Sequence, residues 1–317
     1  MILSRAQVNT WAGACLALSD EIADADGFVA VRSLLARFDA ELIQRPLLVE
    51  AMLCESIDAR DPSAGAARWR LLVDSEKFAF PSEALAAETI AAPLPSRFRN
   101  TIAHELTHSL AFRAKEFGVD LTISTEHGKR KATQVVDEIE RHTEDLSPLL
   151  LAPDRAVDRS FPGTLHHLSV EDLVAARSVM GVSRFVLVQR LNLMKMYGSG
   201  RILERPCFLN VAIGVGSWTR EGNAILRGSP LFAQFEANEP PAFIHALRRS
   251  NSLDISSSIS DPSFVLNGGD ASSLMLEVPC GTEKNPRRGM MRIQFSVENT
   301  KRRAGGSFFF VARRLTR

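Results

Sequence analysis

RNTIAHELTHSLAFR, residues 99–113, combines a helical pattern with two histidines four residues apart. The apolar residues in and just before this segment recur every four positions, at Phe98, Ile102, Leu106 and Leu110. This period predicts a helix with one apolar face, and Pro95 and Ser96 supply the signal for its start. Residues four apart lie on one side of a helix, so His104 and His108 are placed to bind the same ion.

The residues His104-Glu105-Leu106-Thr107-His108 also fit the HExxH pattern of zinc hydrolases. Zinc held by two such histidines lowers the pKa of a water molecule, and the adjacent glutamate takes its proton before a carbonyl is attacked. We therefore predict that His104 and His108 are zinc ligands and that Glu105 is the catalytic base. The alternative interpretation is a pair of histidines on the surface of an ordinary helix.

A catalytic zinc ion needs a third protein ligand and one open coordination position. A second predicted helix, from about residue 132 to 151, offers six candidates: Asp137, Glu138, Glu140, His142, Glu144 and Asp145. Its buried side is marked by apolar residues at Val136, Ile139, Leu146 and Leu150. Glu140 lies beside that side, so we favour Glu140 as the ligand and Glu144, one turn later, as the residue that orients a bound histidine. Glu138 and His142 have the same spacing and remain alternatives.

Length and composition indicate a folded chain with more than one domain. Of its 317 residues, 45% are hydrophobic and 24% charged, so a normal core is expected. No apolar run of about 18 residues occurs, and the N-terminal segment lacks the basic start of a signal peptide. The four cysteines are far apart and form no metal-binding or disulfide pattern. We therefore expect a cytoplasmic protein without a membrane segment.

The sequence pattern changes at the Gly-Ser-Gly of residues 198–200. Residues 169–197 are predicted to form two helices joined by a tight turn at residues 181–183. After residue 200, short apolar runs broken by Gly, Pro, Asn and Ser predict a β-rich region. Its last part, residues 284–317, holds 10 basic residues and one acidic residue. This charge suits an acidic partner or nucleic acid, and the plainer interpretation is a solvated face.

Four features in chain order carry a family resemblance. Strands are predicted before the histidine helix, and SRFRNTIAHELTHSL (96–110) is similar to the family sequence RRFTLAHELGH. ERHTEDLSPLLLAP (140–153) is similar to EREANRFAAELLMP, and MGVSRFVLVQRLNLM (180–194) to FGVSxxAxxxRL. Together these features resemble the ImmA/IrrE-type metallopeptidases over about residues 40–197. The resemblance places Glu140 on the family's glutamate ligand and Glu144 on its Asn or Asp.

This chain departs from the family pattern near the predicted zinc site. Thr107 stands where the family has glycine, which changes helix packing close to the metal. Thr143-Glu144 replaces part of the family's Glu-Ala-Asn sequence, and His142 is an additional candidate ligand. The β-rich region after residue 200 resembles nothing that we identify.

The residues and the resemblance together predict an α+β fold in three parts. Residues 1–168 are expected to form a zincin-like metallopeptidase domain, with a small sheet, the HExxH helix and the ligand helix. Residues 169–200 would form a helix-turn-helix-like unit packed on it. Residues 201–317 would form a second, β-rich domain that serves as a sensor or a substrate-docking module.

The function implied by the resemblance is that of a regulatory zinc endopeptidase with one Zn²⁺ per chain. Relatives of this kind cut a specific protein partner, typically a helix-turn-helix transcriptional repressor encoded nearby in the genome. Cleavage switches on genes of stress response, mobile elements or antiviral defence. We therefore expect the substrate to be a repressor or another protein of the genomic neighbourhood.

Two other functions remain open. The 169–197 unit could read DNA through Arg184 and Gln189, although its second helix is so apolar that direct nucleic-acid binding is not favoured. The chain could also be a binding or scaffold protein without catalysis, against which the complete His-Glu-His set argues. His166 and His167 are weaker candidates for stabilising an oxyanion. The sequence predicts no oligomeric state.

Overall fold

The protein is described by a computed structural model, in which helices and strands are mixed. The described residues are 3–55, 69–79, 82–112, 129–161, 168–197, 211–218, 224–234, 252–254, 271–282, 285–296 and 307–314. They form eight helices and two sheets, which confirms the predicted mixture of α and β structure. The chain divides into two compact units, one of Met1–Asp158 with Ser178–Ser183 and the other of Arg159–Arg177 with Arg184–Arg317. The domain boundaries expected at residues 168 and 200 remain predictions.

The first unit begins with helix α1 (Arg5–Ile22), which is followed by the short α2 (Val31–Arg37). A capping box starts α1, because Ser4 Oγ accepts the N–H of Gln7 at 3.2 Å and the Gln7 side chain accepts the N–H of Ser4 at 2.8 Å. Trp11 lies fully buried on the inner side of α1 and donates its indole N–H to the backbone oxygen of Thr107 at 3.3 Å. This bond fixes α1 against the helix that carries the histidine pair.

A three-stranded sheet supports that helix. It consists of β1 (Ala40–Arg45), β2 (Ala51–Glu55) and β3 (Trp69–Asp74), in the order β1-β3-β2. In this order β3 is the central strand, and β1 and β2 are edge strands of the sheet. β1 runs parallel to β3, β2 runs antiparallel to it, and β2 packs on α4. The apolar run LIQRPLLVEAML at residues 42–53 predicts a single strand, and this prediction is wrong. The run divides after β1, because Pro46 lacks the N–H that a continued ladder requires.

The next helices are α3 (Ser82–Ala86), α4 (Ser96–Phe112) and α5 (Lys129–Leu151). α4 confirms the predicted helix, and all four of its periodic apolar residues are completely buried: Phe98, Ile102, Leu106 and Leu110. α5 packs against α4 and α1, and it continues through Pro148. Of its predicted apolar face, Ile139, Leu146 and Leu150 are buried, whereas Val136 is 63% exposed. The expectation for Val136 was therefore wrong.

A buried ion pair connects three loops of the first unit. Arg99 Nε lies 3.1 Å from Glu88 Oε1, and both side chains are fully buried. The Arg99 guanidinium also donates to the backbone oxygens of Val29, Met180 and Gly181, and Glu88 accepts the N–H of Val31 at 2.6 Å. Gly181 has a positive φ of 61°, and a Cβ there would lie 2.3 Å from Arg99 Nη1. The glycine therefore meets both a conformational and a steric requirement.

Gly181 belongs to the tight turn between α7 (Val170–Met180) and α8 (Arg184–Tyr197), which confirms the predicted helix, turn and helix. α6 (Asp154–Ser160) precedes them. α7 begins with a capping box, in which Ser169 Oγ accepts the N–H of Asp172 at 3.2 Å.

The second unit contains a six-stranded antiparallel sheet. Its strands are β4 (Val211–Trp218), β5 (Ala224–Gln234), β6 (Ser252–Asp254), β7 (Ala271–Thr282), β8 (Asn285–Ser296) and β9 (Ser307–Arg314). Their order is β6-β5-β4-β9-β8-β7, and α8 packs on β4, β5 and β9. The β-rich character predicted after residue 200 is thus confirmed. The sequence also predicts a short helix at residues 241–249, and this segment lies outside the described residues.

Within the described part of the chain, no helix is both long enough and apolar enough to cross a lipid bilayer.

Candidate metal centre

Three side chains from α4 and α5 converge into one cluster. His104 and His108 project from successive turns of α4, and Glu140 projects from α5. Glu140 Oε1 lies 3.0 Å from His104 Nε2, and Glu140 Oε2 lies 3.0 Å from His108 Nε2. The two Nε2 atoms are 3.2 Å apart. We call His104, His108 and Glu140 the metal cluster.

The spacing of the metal cluster fits a zinc ion. In a tetrahedral site with metal–ligand bonds of about 2.0–2.1 Å, neighbouring ligand atoms lie about 3.3 Å apart. The separations of 3.0, 3.0 and 3.2 Å fall within a few tenths of an ångström of that value. Imidazole nitrogens and a carboxylate oxygen are also the ligand types that zinc takes in catalytic sites, so the chemistry of the donor set suits this metal.

The electrostatic state of His108 suits metal binding. Burial, together with the nearby His104, lowers the pKa of His108, and the negative charge of Glu140 opposes this shift only in part. His108 is therefore neutral at neutral pH, and a neutral imidazole is the form that ligates a metal.

Glu105 lies next to the metal cluster on α4. Burial raises the pKa of the Glu105 carboxyl, and so does the charge of Glu140, whereas His104 and the backbone N–H of Leu53 lower it. Leu53 belongs to the edge strand β2, so the sheet and the helix together orient the carboxylate. A carboxylate whose pKa is raised towards neutrality accepts a proton more readily, which is the property of a general base.

Thr143 contacts the outer nitrogen of His108, which is Nδ1, the ring nitrogen that does not face Glu140. Its Oγ1 lies 3.2 Å from His108 Nδ1, and the Thr143 side chain is completely buried. Glu144 is exposed, as Glu140 is, and its role in orienting a histidine stays a prediction. In the sequence, Thr143 stands out only as a departure from the family pattern. Its spacing of three residues after Glu140 was the signal that would have found it, because such residues share a helix face.

The alternative ligands Glu138 and His142 lie elsewhere on α5. Glu138 Oε1 accepts the backbone N–H of Leu3 at 3.4 Å, just before α1, and lies 3.8 Å from His142 Nε2. Burial is the main cause that lowers the pKa of His142. Neither residue belongs to the metal cluster, so the structure brings Glu140, and not these two, to the histidine pair. His166 and His167 lie outside the described residues.

Thr107, which stands where the family has glycine, is accommodated in the core of the first unit. It is completely buried, and its Oγ1 donates to the backbone oxygen of Ala103 at 2.7 Å. The hydroxyl is therefore satisfied within its own helix.

Comparison with models of known protein families, with curated proteins and with solved structures found no match to this chain.

Proposed function

We propose that the first unit is a zincin-like catalytic domain and that the protein is a zinc-dependent endopeptidase. The observation that carries this proposal is the convergence of His104, His108 and Glu140, with Glu105 beside them. Residues from two helices meet at zinc-like separations, and a partly buried carboxylate with a raised pKa adjoins them. Surface histidines that merely lie four residues apart would not need a carboxylate from another helix at 3.0 Å from each ring.

Each residue of the site has a distinct role in this proposal. His104, His108 and Glu140 would hold one zinc ion, which supplies the Lewis acidity that lowers the pKa of water and polarises a carbonyl. Glu105 takes the proton from the attacking water and passes it to the leaving amine. The Leu53 N–H holds the Glu105 carboxylate in place.

The proposed substrate is a specific protein partner. The resemblance to ImmA/IrrE-type metallopeptidases supports a helix-turn-helix repressor or another stress or defence protein of the same genomic neighbourhood, in the cytoplasm. The second unit is the proposed place for signal sensing or substrate docking, because it adds a sheet beyond the family-like region.

DNA reading by α7 and α8 has less support. Val186, Leu187, Val188 and Leu191 of α8 are buried, and so is the Arg190 side chain. Arg184 Nη1 donates to Ser307 Oγ at 3.2 Å, and its guanidinium lies 5.9 Å from the centre of the Phe309 ring. These groups are engaged within the second unit, which leaves fewer of them to read a major groove. A scaffold without catalysis is less favoured because the catalytic set is complete.

Peptide cleavage tests the proposed function directly. We expect the purified protein to cut a small set of sequences when it is incubated with a proteome-derived peptide library and with the proteins of adjacent genes. Ortho-phenanthroline should abolish the cleavage, its non-chelating meta isomer should not, and added zinc should restore it. Mass spectrometry of the new termini measures the result. Cleavage that survives ortho-phenanthroline and dialysis would count against a zinc enzyme.

A further inference from the structure

Thr143 occupies a position that neither the proposed ligand set nor the proposed base explains. Its hydroxyl lies 3.2 Å from His108 Nδ1, on the side of the ring opposite the nitrogen that faces Glu140. The side chain has no exposure to solvent, so water does not compete for this contact. In the described part of the chain, this is the one hydroxyl placed at the outer nitrogen of a cluster histidine.

The chemistry of imidazole gives this contact a consequence. A neutral histidine carries one proton on its two nitrogens, and a nitrogen bound to a metal cannot carry it. If Nε2 of His108 binds the ion, Nδ1 is protonated and donates to an acceptor. Thr143 Oγ1 is the acceptor that the structure supplies. Partners of this kind hold the ring in both its tautomer and its orientation.

We propose that Thr143 is a positioning residue, which keeps the Nε2 lone pair of His108 directed into the metal cluster. This inference rests on the proposed zinc function and deepens it, because it names a further residue that tunes metal affinity. A threonine hydroxyl is neutral, so it orients the ring without the added basicity that a carboxylate partner gives. Position 143 thus combines full burial with a neutral acceptor.

Zinc affinity, measured by competition with a chromophoric chelator, tests the role of Thr143. Thr143→Val keeps the side-chain shape and removes the acceptor, so we expect zinc affinity to fall about 10- to 100-fold. Thr143→Ser keeps the acceptor, so its zinc affinity should stay within about threefold of the wild type. This loss is smaller than the one expected when the acceptor is removed. The matched control is Thr10→Val on α1, which makes the same chemical change at a threonine whose hydroxyl donates to the Ala6 carbonyl of its own helix, and the zinc affinity of this variant should stay unchanged.

The outcomes separate this inference from the proposed function. Wild-type protein without zinc affinity would overturn the proposed function itself. Wild-type affinity in Thr143→Val, or equal losses in the Val and Ser variants, would overturn only the role of Thr143. If Thr143→Val fails to fold, Thr143→Ser and Thr143→Ala provide the comparison, since they differ only in the hydroxyl, and equal affinities would contradict the inference. Long-range ¹H–¹⁵N spectra of His108 should show the Nδ1–H tautomer in zinc-bound wild type and its ring signals broadened in Thr143→Val.

Discussion

Glu105→Gln is expected to retain zinc and to lose about 10²- to 10⁴-fold in peptide cleavage, which is the usual contribution of a general base. The amide has nearly the same shape as the carboxylate, but it cannot take a proton from water. Glu105 is not one of the residues that form the metal cluster, so its replacement leaves His104, His108 and Glu140 in place. The rate of peptide cleavage and the zinc content of the same preparation measure the two effects separately.

The matched control for this variant is Glu41→Gln, which makes the same chemical change at an exposed position of β1. Both its cleavage rate and its zinc content should equal those of the wild type. Cleavage at an unchanged rate in Glu105→Gln, with zinc bound, would show that another group acts as the base.

Arg99→Met is expected to lower the free energy of unfolding of the first unit by about 3–5 kcal/mol, because it leaves the buried Glu88 carboxylate without its cation. Burial lowers the pKa of Arg99 to about 10, against the attraction of Glu88, so the guanidinium remains charged at neutral pH. The substitution also removes the donor to three backbone oxygens and the cation that lies 4.3 Å from the centre of the Phe28 ring.

Arg97→Met is the matched control, two residues earlier on the same helix. Its side chain is 72% exposed and pairs with Glu50, so its loss should cost about 1 kcal/mol or less. Denaturant unfolding followed by tryptophan fluorescence measures both variants. A Trp218→Phe background leaves Trp11 and Trp69, which both belong to the first unit. Equal destabilisation by the two substitutions would contradict the structural role of the buried pair.

The helix with the two histidines was predictable because its signals are local. The spacing of Phe98, Ile102, Leu106 and Leu110 defines one face of a helix from the sequence alone. Glu140 was also favoured from its place beside Ile139, since residues near the buried side of a helix point towards neighbouring elements. The β-rich character of the second unit followed from short apolar runs. The strands β4, β5 and β9 lie within such runs, whereas β7 and β8 overlap them and extend further.

Other features were not predictable because they depend on contacts between distant segments. Arg97 and Arg99 look equivalent in the sequence, yet one side chain is 72% exposed and the other fully buried. The backbone oxygens that Arg99 binds lie 70 to 82 residues away in the chain. Val136 was expected in the core, but it shares a helix face with the half-exposed Glu140. Helix periodicity cannot tell which of two adjacent faces meets another element.

Zinc content, determined by elemental mass spectrometry on protein purified without chelators, tests the central claim most directly. The metal cluster predicts about one zinc ion per chain in the wild type, in keeping with a single site of three protein ligands. His104→Ala and Glu140→Ala should each lose most of the zinc, while Asp137→Asn, an exposed acid on the same helix as Glu140, should keep it. Folded wild-type protein without zinc, or undiminished zinc in the two alanine variants, would contradict the account.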